Sequence, residues 1–306
     1  MGIRVLKGGM MTTVQDLGRT GYQSQGFSVS GVMDVRSFKI ANLLLDNPEN
    51  EAVLEFTLIG PTLEFTSETI ISITGGDFRP QINGKPAKMY TAIYMHRGDI
   101  LTFGGARTGT RGYIAFSSYL DVPVVMGSRS TNIKCQIGGY KGRKLEDEDY
   151  IAFRAKRRYL PYYLSRSLDL DEFDQEKITL RVVMGPQEKM FTKEGRETFL
   201  NSEYTVTSEF DRMGCRLEGP FIAYKTTSDI ISDGIAFGSV QVPSHGKPII
   251  LLADRQTTGG YAKIATVVSV DIPKLVQRKT EQKVRFQAVS VEEAQKLLAD
   301  EMKELE

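Results

Sequence analysis

The chain has 306 residues, 39 of them basic and 38 acidic, for a formal net charge of +1. That balance gives no electrostatic reason to expect nucleic acid or an anionic membrane surface as partner. At 41% hydrophobic and 25% charged the composition is that of a globular protein near the size where one core gives way to two.

In chain order, the N-terminus lacks the apolar stretch of a signal peptide, and Leu6 stands where an acylation signal needs Ser or Thr. The first polar, glycine-bearing segment is QDLGRTGYQ at 15–23. A helix is expected over 35–45, capped by Asp34, with Phe38, Ala41 and Leu45 on one face. Strands are expected at 62–73, 92–103 and 112–116, separated by turns that draw on the 29 glycines. The run GGARTGTRG at 104–112 matches neither phosphate-loop pattern and reads as turns. GSRST at 127–131 sets an arginine among hydroxyls, and the acidic run 146–149 reads as a solvated turn. A charged connector is expected at 154–177, giving domains 1–160 and 161–306.

In the second half, strands are expected at 178–183, 248–252 and 263–270, and a helix at 187–193 after Pro186. A last helix at 291–305 opens on a Ser290/Glu293 capping box. Its stripe of Val291, Ala294, Leu298, Met302 and Leu305 is expected to dock on a barrel. Gly-Pro followed by apolar alternation occurs at 60–65 and again at 219–224, an echo that suits two related halves. The fold class is therefore mainly β, with barrels or sandwiches favoured over a parallel sheet, which would need regular intervening helices. No run approaches the length of a spanning helix. Two cysteines, Cys135 and Cys215, make no disulfide framework, and a reducing cytoplasm is the expected compartment.

Familiar catalytic motifs are absent. With only His96 and His245, a histidine-rich metal site is excluded, and no GxSxG elbow occurs. What remains is a surface of carboxylate, guanidinium and amide groups in three segments: 15–23, DRMGCRL at 211–217, and DRQTTGGYAKI at 254–264. Arginine offers a rigid fork for carboxylate or phosphate. Backbone amides near Gly259 and Gly260 are candidates to hold an oxyanion. The expected catalytic residues are Asp254, Gln256 and Thr258. Arg19, Asn42, Arg129 and Arg212 are expected to bind substrate, and Asp16 and Asp211 to orient the arginines. No metal is assigned. Loops 15–23 and 254–261 are expected to approach one cleft. The competing reading is that these Arg–Asp pairs pin loops.

The segments QDLGRTGYQ, SGVMDVRSFKIANLLLDN, LEFTLIGPTLEF, DVPVVMGSRST, DRMGCRLEGP, SDGIAFGSVQVPSHGKPIILLADRQTTGGYAKI and VRFQAVSVEEA run through almost the whole chain. They resemble the C subunits of bacterial ATP-dependent 5-oxoprolinases, a family also described as allophanate hydrolase subunit 2-like. That family is similar to one half of the carboxyltransferase domain of urea carboxylase. The resemblance implies two cyclophilin-like β-barrel domains, a B-type partner subunit and a third, A-type subunit. It implies that the assembly opens 5-oxo-L-proline to L-glutamate with ATP as cofactor, as an amide (lactam) hydrolase active only in complex. Two other readings stay open: a biotin-dependent carboxyltransferase subunit acting on urea or another amide, and a non-catalytic antagonist of a histidine-kinase inhibitor. No biotin-carrier segment is present in the sequence. Ala262 stands where the family often has proline, and Ser118-Tyr119-Leu120 where it often has Gly-Gly.

Overall fold

The computed structural model describes residues 1–156, 159–169 and 173–305, and contacts divide the chain into two units. Unit 1 is Met1–Thr20 with Ser30–Asp174, and unit 2 is Gly21–Val29 with Gln175–Glu306. The division falls at 174/175 and not at the expected 160/161. Segment 159–169 hydrogen-bonds inside unit 1, where Ala92 N donates to Arg166 O and Leu168 N to Tyr90 O. Of the expected connector, Arg157, Arg158, Leu170, Asp171 and Glu172 lie outside the described residues.

Unit 1 holds β1 (Gly2–Lys7), β2 (Met11–Gln15), β3 (Val53–Thr57), β4 (Thr62–Phe65), β5 (Thr69–Asp77), β6 (Gln81–Ile82), β7 (Lys85–Pro86), β8 (Ala92–Met95), β9 (Ile100–Thr102), β10 (Thr108–Phe116) and β11 (Tyr150–Ala152). They form a six-stranded sheet, ordered β11-β1-β4-β9-β6-β7, and a five-stranded sheet, ordered β2-β3-β10-β5-β8. The barrel expected here is thus two open sheets among the described residues. One outer strand, β7, is two residues long and contains Pro86, which has no N–H to extend a ladder. The strand expected at 62–73 is divided by a bend at 66–67, and that at 92–103 by a turn where Gly98 takes φ 91°.

Period-two alternation explains how the five-stranded sheet buries both faces. Ile71, Ile114 and Phe116 join a core with Ile3, Val5 and Leu63 of the other sheet. Their neighbours Ile70, Tyr113 and Ala115 face the opposite way, onto Phe38 and Ala41 of helix α1 (Val35–Leu44). Asp34 caps that helix as expected, accepting from Ser37 N at 2.9 Å. The Tyr113 hydroxyl accepts from Asp34 N at 2.8 Å and donates to Glu55 Oε2 at 2.9 Å. Burial, then the Glu55 and Asp34 charges, push that phenol well above its ordinary range. In the acidic run, 147–148 form the turn expected, while Asp149 is buried and takes both Arg143 Nη atoms at 2.6 and 2.7 Å.

Unit 2 holds β12 (Lys177–Met184), β13 (Tyr204–Phe210), β14 (Gly214–Glu218), β15 (Asp229–Gly234), β16 (Ser239–Gln241), β17 (Ile249–Leu251), β18 (Thr258–Tyr261), β19 (Lys263–Val267) and β20 (Lys283–Ala288). Seven of these close into a barrel ordered β12-β19-β16-β17-β14-β13-β20, and β15 pairs with β18 in a separate ribbon. Alternate residues are buried along the barrel strands, as at Ile178, Leu180 and Val182, and at Val284 and Phe286. β12 and β20 run parallel.

Three helices belong to this unit: α2 (Lys193–Asn201), α3 (Ile272–Val276) and α4 (Val291–Glu304). The helix expected at 187–193 is only a 3₁₀ turn at Glu188–Met190. The true helix starts after Thr192, whose hydroxyl accepts from Gly195 N at 2.9 Å. The capping box of α4 is present, but the helix buries no residue fully, and Val291, Leu298 and Met302 are 50%, 41% and 49% exposed. The less exposed positions are Ala294, Leu297, Glu301 and Leu305, so the expected stripe holds at Ala294 and Leu305, while Leu297 and Glu301 stand in for Leu298 and Met302. The Gly-Pro echo does not carry into structure: Gly60-Pro61 enters β4, but 221–223 form no strand. That segment hydrogen-bonds outside the barrel ladder instead, with Ile222 N donating to Gly246 O and Ala223 O accepting from Thr192 N. Among the described residues, no helix is long and apolar enough to cross a membrane.

Candidate functional site

The first motif is a knot inside unit 1. Gly18 takes φ 92°, which folds the chain back so that its N–H reaches Asp16 Oδ1 at 2.8 Å. Oδ1 also accepts from the Ser128 and Ser130 hydroxyls at 2.6 and 2.5 Å, and Oδ2 from Arg129 N at 2.6 Å. Asp16 is 2% exposed, so these donors replace its hydration. Arg19, also buried, donates from Nη2 to Ser130 O at 2.5 Å. What joins Asp16 and Arg19 is therefore the 128–130 loop, which both hold. Gly138 completes the packing, because a Cβ there would sit 2.1 Å from Ser130 O. Asn42 is buried too. Its Nδ2 donates to Glu51 O at 2.8 Å and its Oδ1 accepts from Asn47 Nδ2 at 3.0 Å, so the amide closes the loop after α1. Arg129 differs from these: its backbone is held, but its Nε is buried with no hydrogen-bond partner among the described residues.

The second and third motifs meet inside unit 2. Arg212 Nε donates to Asp254 Oδ2 at 2.8 Å and Nη2 to Oδ1 at 3.2 Å, and Asp254 N donates to Arg212 O at 2.8 Å. The two side chains are 11% and 14% exposed. A two-point fork of this kind fixes the plane of the guanidinium. Asp211 shapes a turn, with its Oδ1 accepting from Met213 N at 2.8 Å and Gly214 N at 3.1 Å. Asp254, expected as a catalytic residue, is the partner of Arg212.

Gln256 and Thr258 are exposed on the same segment. The glycines after them lie in β18 and do not take positive φ. Gly259 serves close packing, since a Cβ there would meet Ile235 Cδ1 at 2.7 Å, whereas Gly260 has room, with its nearest contact at 3.5 Å. The continuation of the first motif reaches this place within the unit: Ser28 Oγ donates to Arg255 O at 2.8 Å.

A cavity of about 460 Å³ opens here, lined by Asp211, Met213, Gln241, Arg255, Gln256 and Tyr261 among others. Its size is that of a small-molecule site. A larger cavity of about 530 Å³ lies in unit 1, but it touches none of the expected site residues. Two ion pairs line it, Arg107 with Asp77 at 2.7 Å and Lys88 with Asp169 at 3.2 Å. The polar groups missed in the sequence are Arg255, Gln241, and the Lys263–Asp233 pair at 2.6 Å. Arg255 stood inside a motif already singled out. Its signal was a third ionisable group beside an Asp whose own partner lies 42 residues away.

Against known proteins, residues 25–288 match the model of the carboxyltransferase domain, subdomain A and B. The 5-oxoprolinase C subunit of Escherichia coli (strain K12) is 33% identical, over 99% of this chain and 96% of its own length. The protein of the same name from Haemophilus influenzae is 34% identical, over 93% of this chain and 90% of its own. The crystal structure of K. lactis urea amidolyase superposes with a TM-score of 0.92 at 29% identity, covering 100% of this chain but only 20% of that one. The chain belongs to the carboxyltransferase domain, subdomain A and B family, an enzyme family that includes the C subunits of 5-oxoprolinases.

Proposed function

We propose that the chain is the C-type subunit of an ATP-dependent 5-oxoprolinase, which converts 5-oxo-L-proline to L-glutamate together with A-type and B-type subunits. The observation that carries this reading is two-way coverage. The match to the 5-oxoprolinase C subunit spans nearly the full length of both proteins, while the chain spans a fifth of urea amidolyase. The expected cytoplasmic setting is in keeping with two free cysteines, Cys135 exposed and Cys215 buried.

The reaction breaks the lactam C–N bond, adds water across it and leaves a carboxylate and an amine. Charge develops on the carbonyl oxygen, and a fixed cation is the strongest aid a site can offer there. Arg212 has that character, because Asp254 holds its fork in one plane. Gln256 supplies an amide donor and acceptor at the cavity, and the exposed Thr258 hydroxyl lies two residues on. Asp254 is a positioning residue in this account, and Asp16 and Asn42 build structure.

A second reading is a carboxyltransferase subunit of a biotin-dependent urea or amide carboxylase, favoured by the TM-score of 0.92 to urea amidolyase. Reconstitution separates them. The chain mixed with both partner subunits is expected to form glutamate from 5-oxoproline only with ATP, and the chain alone to form none. Bicarbonate-dependent carboxylation of urea, with no glutamate from 5-oxoproline, would replace the first reading by the second.

A further inference from the structure

A charge removed from water needs a partner charge or a dense set of hydrogen bonds. Arg255 is 9% exposed, yet among the described residues its guanidinium hydrogen-bonds to neutral groups. Nε donates to Ile235 O at 3.0 Å, Nη1 donates to Leu252 O at 3.2 Å, and Cζ lies 5.6 Å from the centre of the Phe237 ring. Two of five N–H donors are thereby used. No carboxylate of the described residues pairs with Arg255, and the nearby acids are already engaged. Asp254 takes the Arg212 fork, Glu209 takes Arg216 Nε at 2.9 Å, and Asp233 takes the Lys263 ammonium at 2.6 Å. Asp211 accepts two backbone N–H groups of its own turn. Burial pushes the Arg255 guanidinium below its ordinary value, and no counter-charge restores it.

This cation lines the cavity of about 460 Å³ together with the paired Arg216 and Glu209 and the turn-held Asp211, with Gln241 and Gln256 as neutral polar groups and Met213, Leu251 and Tyr261 as apolar wall. We propose that the cavity binds a small carboxylate-bearing molecule whose anion supplies the counter-charge of Arg255, while Gln256 meets its neutral polar part. Carboxylate and guanidinium match in plane and spacing, and the pair gains strength out of water. The naming of 5-oxoproline as occupant rests on the lactam reading above, whereas the anion chemistry rests on the cavity. Urea carries no carboxylate, so the site also bears on the choice between the two functional readings.

The test uses the intact chain and three probes: 5-oxoproline, N-acetylglycine, and neutral 2-pyrrolidinone. Binding is followed by calorimetry and by the ¹⁵N NMR signal of arginine Nε. Saturable binding of the carboxylates with a shift of the Arg255 signal, and none with 2-pyrrolidinone, is the expected result. Arg255→Gln should weaken carboxylate binding about 10- to 100-fold. If that variant does not fold, because the Ile235 and Leu252 carbonyls lose their donor, the NMR titration of the unaltered chain still decides. Binding of N-acetylglycine but not 5-oxoproline supports the anion site and removes the lactam as its occupant. The proposal is overturned if neither carboxylate binds saturably, if 2-pyrrolidinone binds equally well, or if folded Arg255→Gln binds as the parent does. Glutamate formation by the reconstituted mixture, with no carboxylate binding at Arg255, overturns the site and leaves the functional reading standing.

Discussion

Asp16 in unit 1 and Asp254 in unit 2 sit in motifs that look alike as sequence: an aspartate, an arginine and nearby glycines. Their surroundings differ. Asp16 is 2% exposed and accepts from Gly18 N, Arg129 N and two serine hydroxyls, all of them neutral donors. Asp254 keeps 14% of its side-chain surface, takes one guanidinium fork, and precedes residues that line a cavity. A carboxylate saturated by hydroxyls and backbone amides stabilises a loop. A carboxylate that holds an arginine between cavity-lining neighbours fixes the plane of that arginine. What surrounds the motif, more than the motif, separates scaffold from chemistry.

The largest effect that would sharpen this contrast is Asp16→Ala. It strips the acceptor from several buried donors at once and should cost about 3 kcal/mol or more of stability. Urea unfolding checks it, and a loss under about 1 kcal/mol would remove Asp16 from the scaffold side. Asp254→Asn keeps the shape but turns an amide N–H toward the Arg212 fork. Turnover of the reconstituted complex should fall about 10²-fold through misplacement of the guanidinium, while the unfolding midpoint moves less than for Asp16→Ala. Gly259→Ala should cost about 1–3 kcal/mol by overpacking against Ile235. Gly260→Ala should be nearly neutral, and an equal loss at both glycines would contradict the packing account.

A smaller effect is expected from pH. Asp271 is fully buried, and burial pushes its carboxyl up, but hydrogen bonds from Arg181 and Lys274 outweigh that and hold it below its usual range. A depressed folded-state value adds stability that is present above the unfolded value of about 3.9. That stability is lost as pH falls through the folded value. Asp271→Asn should therefore flatten the acid limb of unit 2 unfolding below about pH 4 and leave the neutral-to-alkaline limb parallel to that of the parent. An unchanged acid limb would mean that Asp271 does not hold the pair.

Much of the fold was legible because it is local. The Asp34 cap of α1 and the Ser290/Glu293 box of α4 follow from neighbouring residues, and the strand alternation of β12 and β20 follows from period two. α2 was not legible: KEGRETFLN has one aromatic, one leucine and a glycine, and its first-turn cap is a threonine that also reads as strand. Whether sheets close or stay open depends on which edges pair, and no local pattern encodes that for β7 or β11. The site was legible in its composition but not in its pairing. Arg212 lies next to Asp211 in sequence and chooses Asp254, 42 residues on, because β14 and the 254–256 segment are brought together by the barrel. Arg255 was hidden for the same reason, since an arginine reveals a missing counter-charge only once its neighbours in space are known.

The most direct test of the central claim, that the Arg212–Asp254 pair serves lactam opening in a three-subunit enzyme, is ATP-dependent glutamate formation by the reconstituted mixture with Arg212→Lys. Lysine keeps the charge and loses the fork. The account predicts that the parent chain restores turnover to the partner subunits, and that the variant assembles normally but turns over about tenfold or more slowly. Parent-level turnover with the variant, or glutamate formation by the partners without this chain, would contradict it.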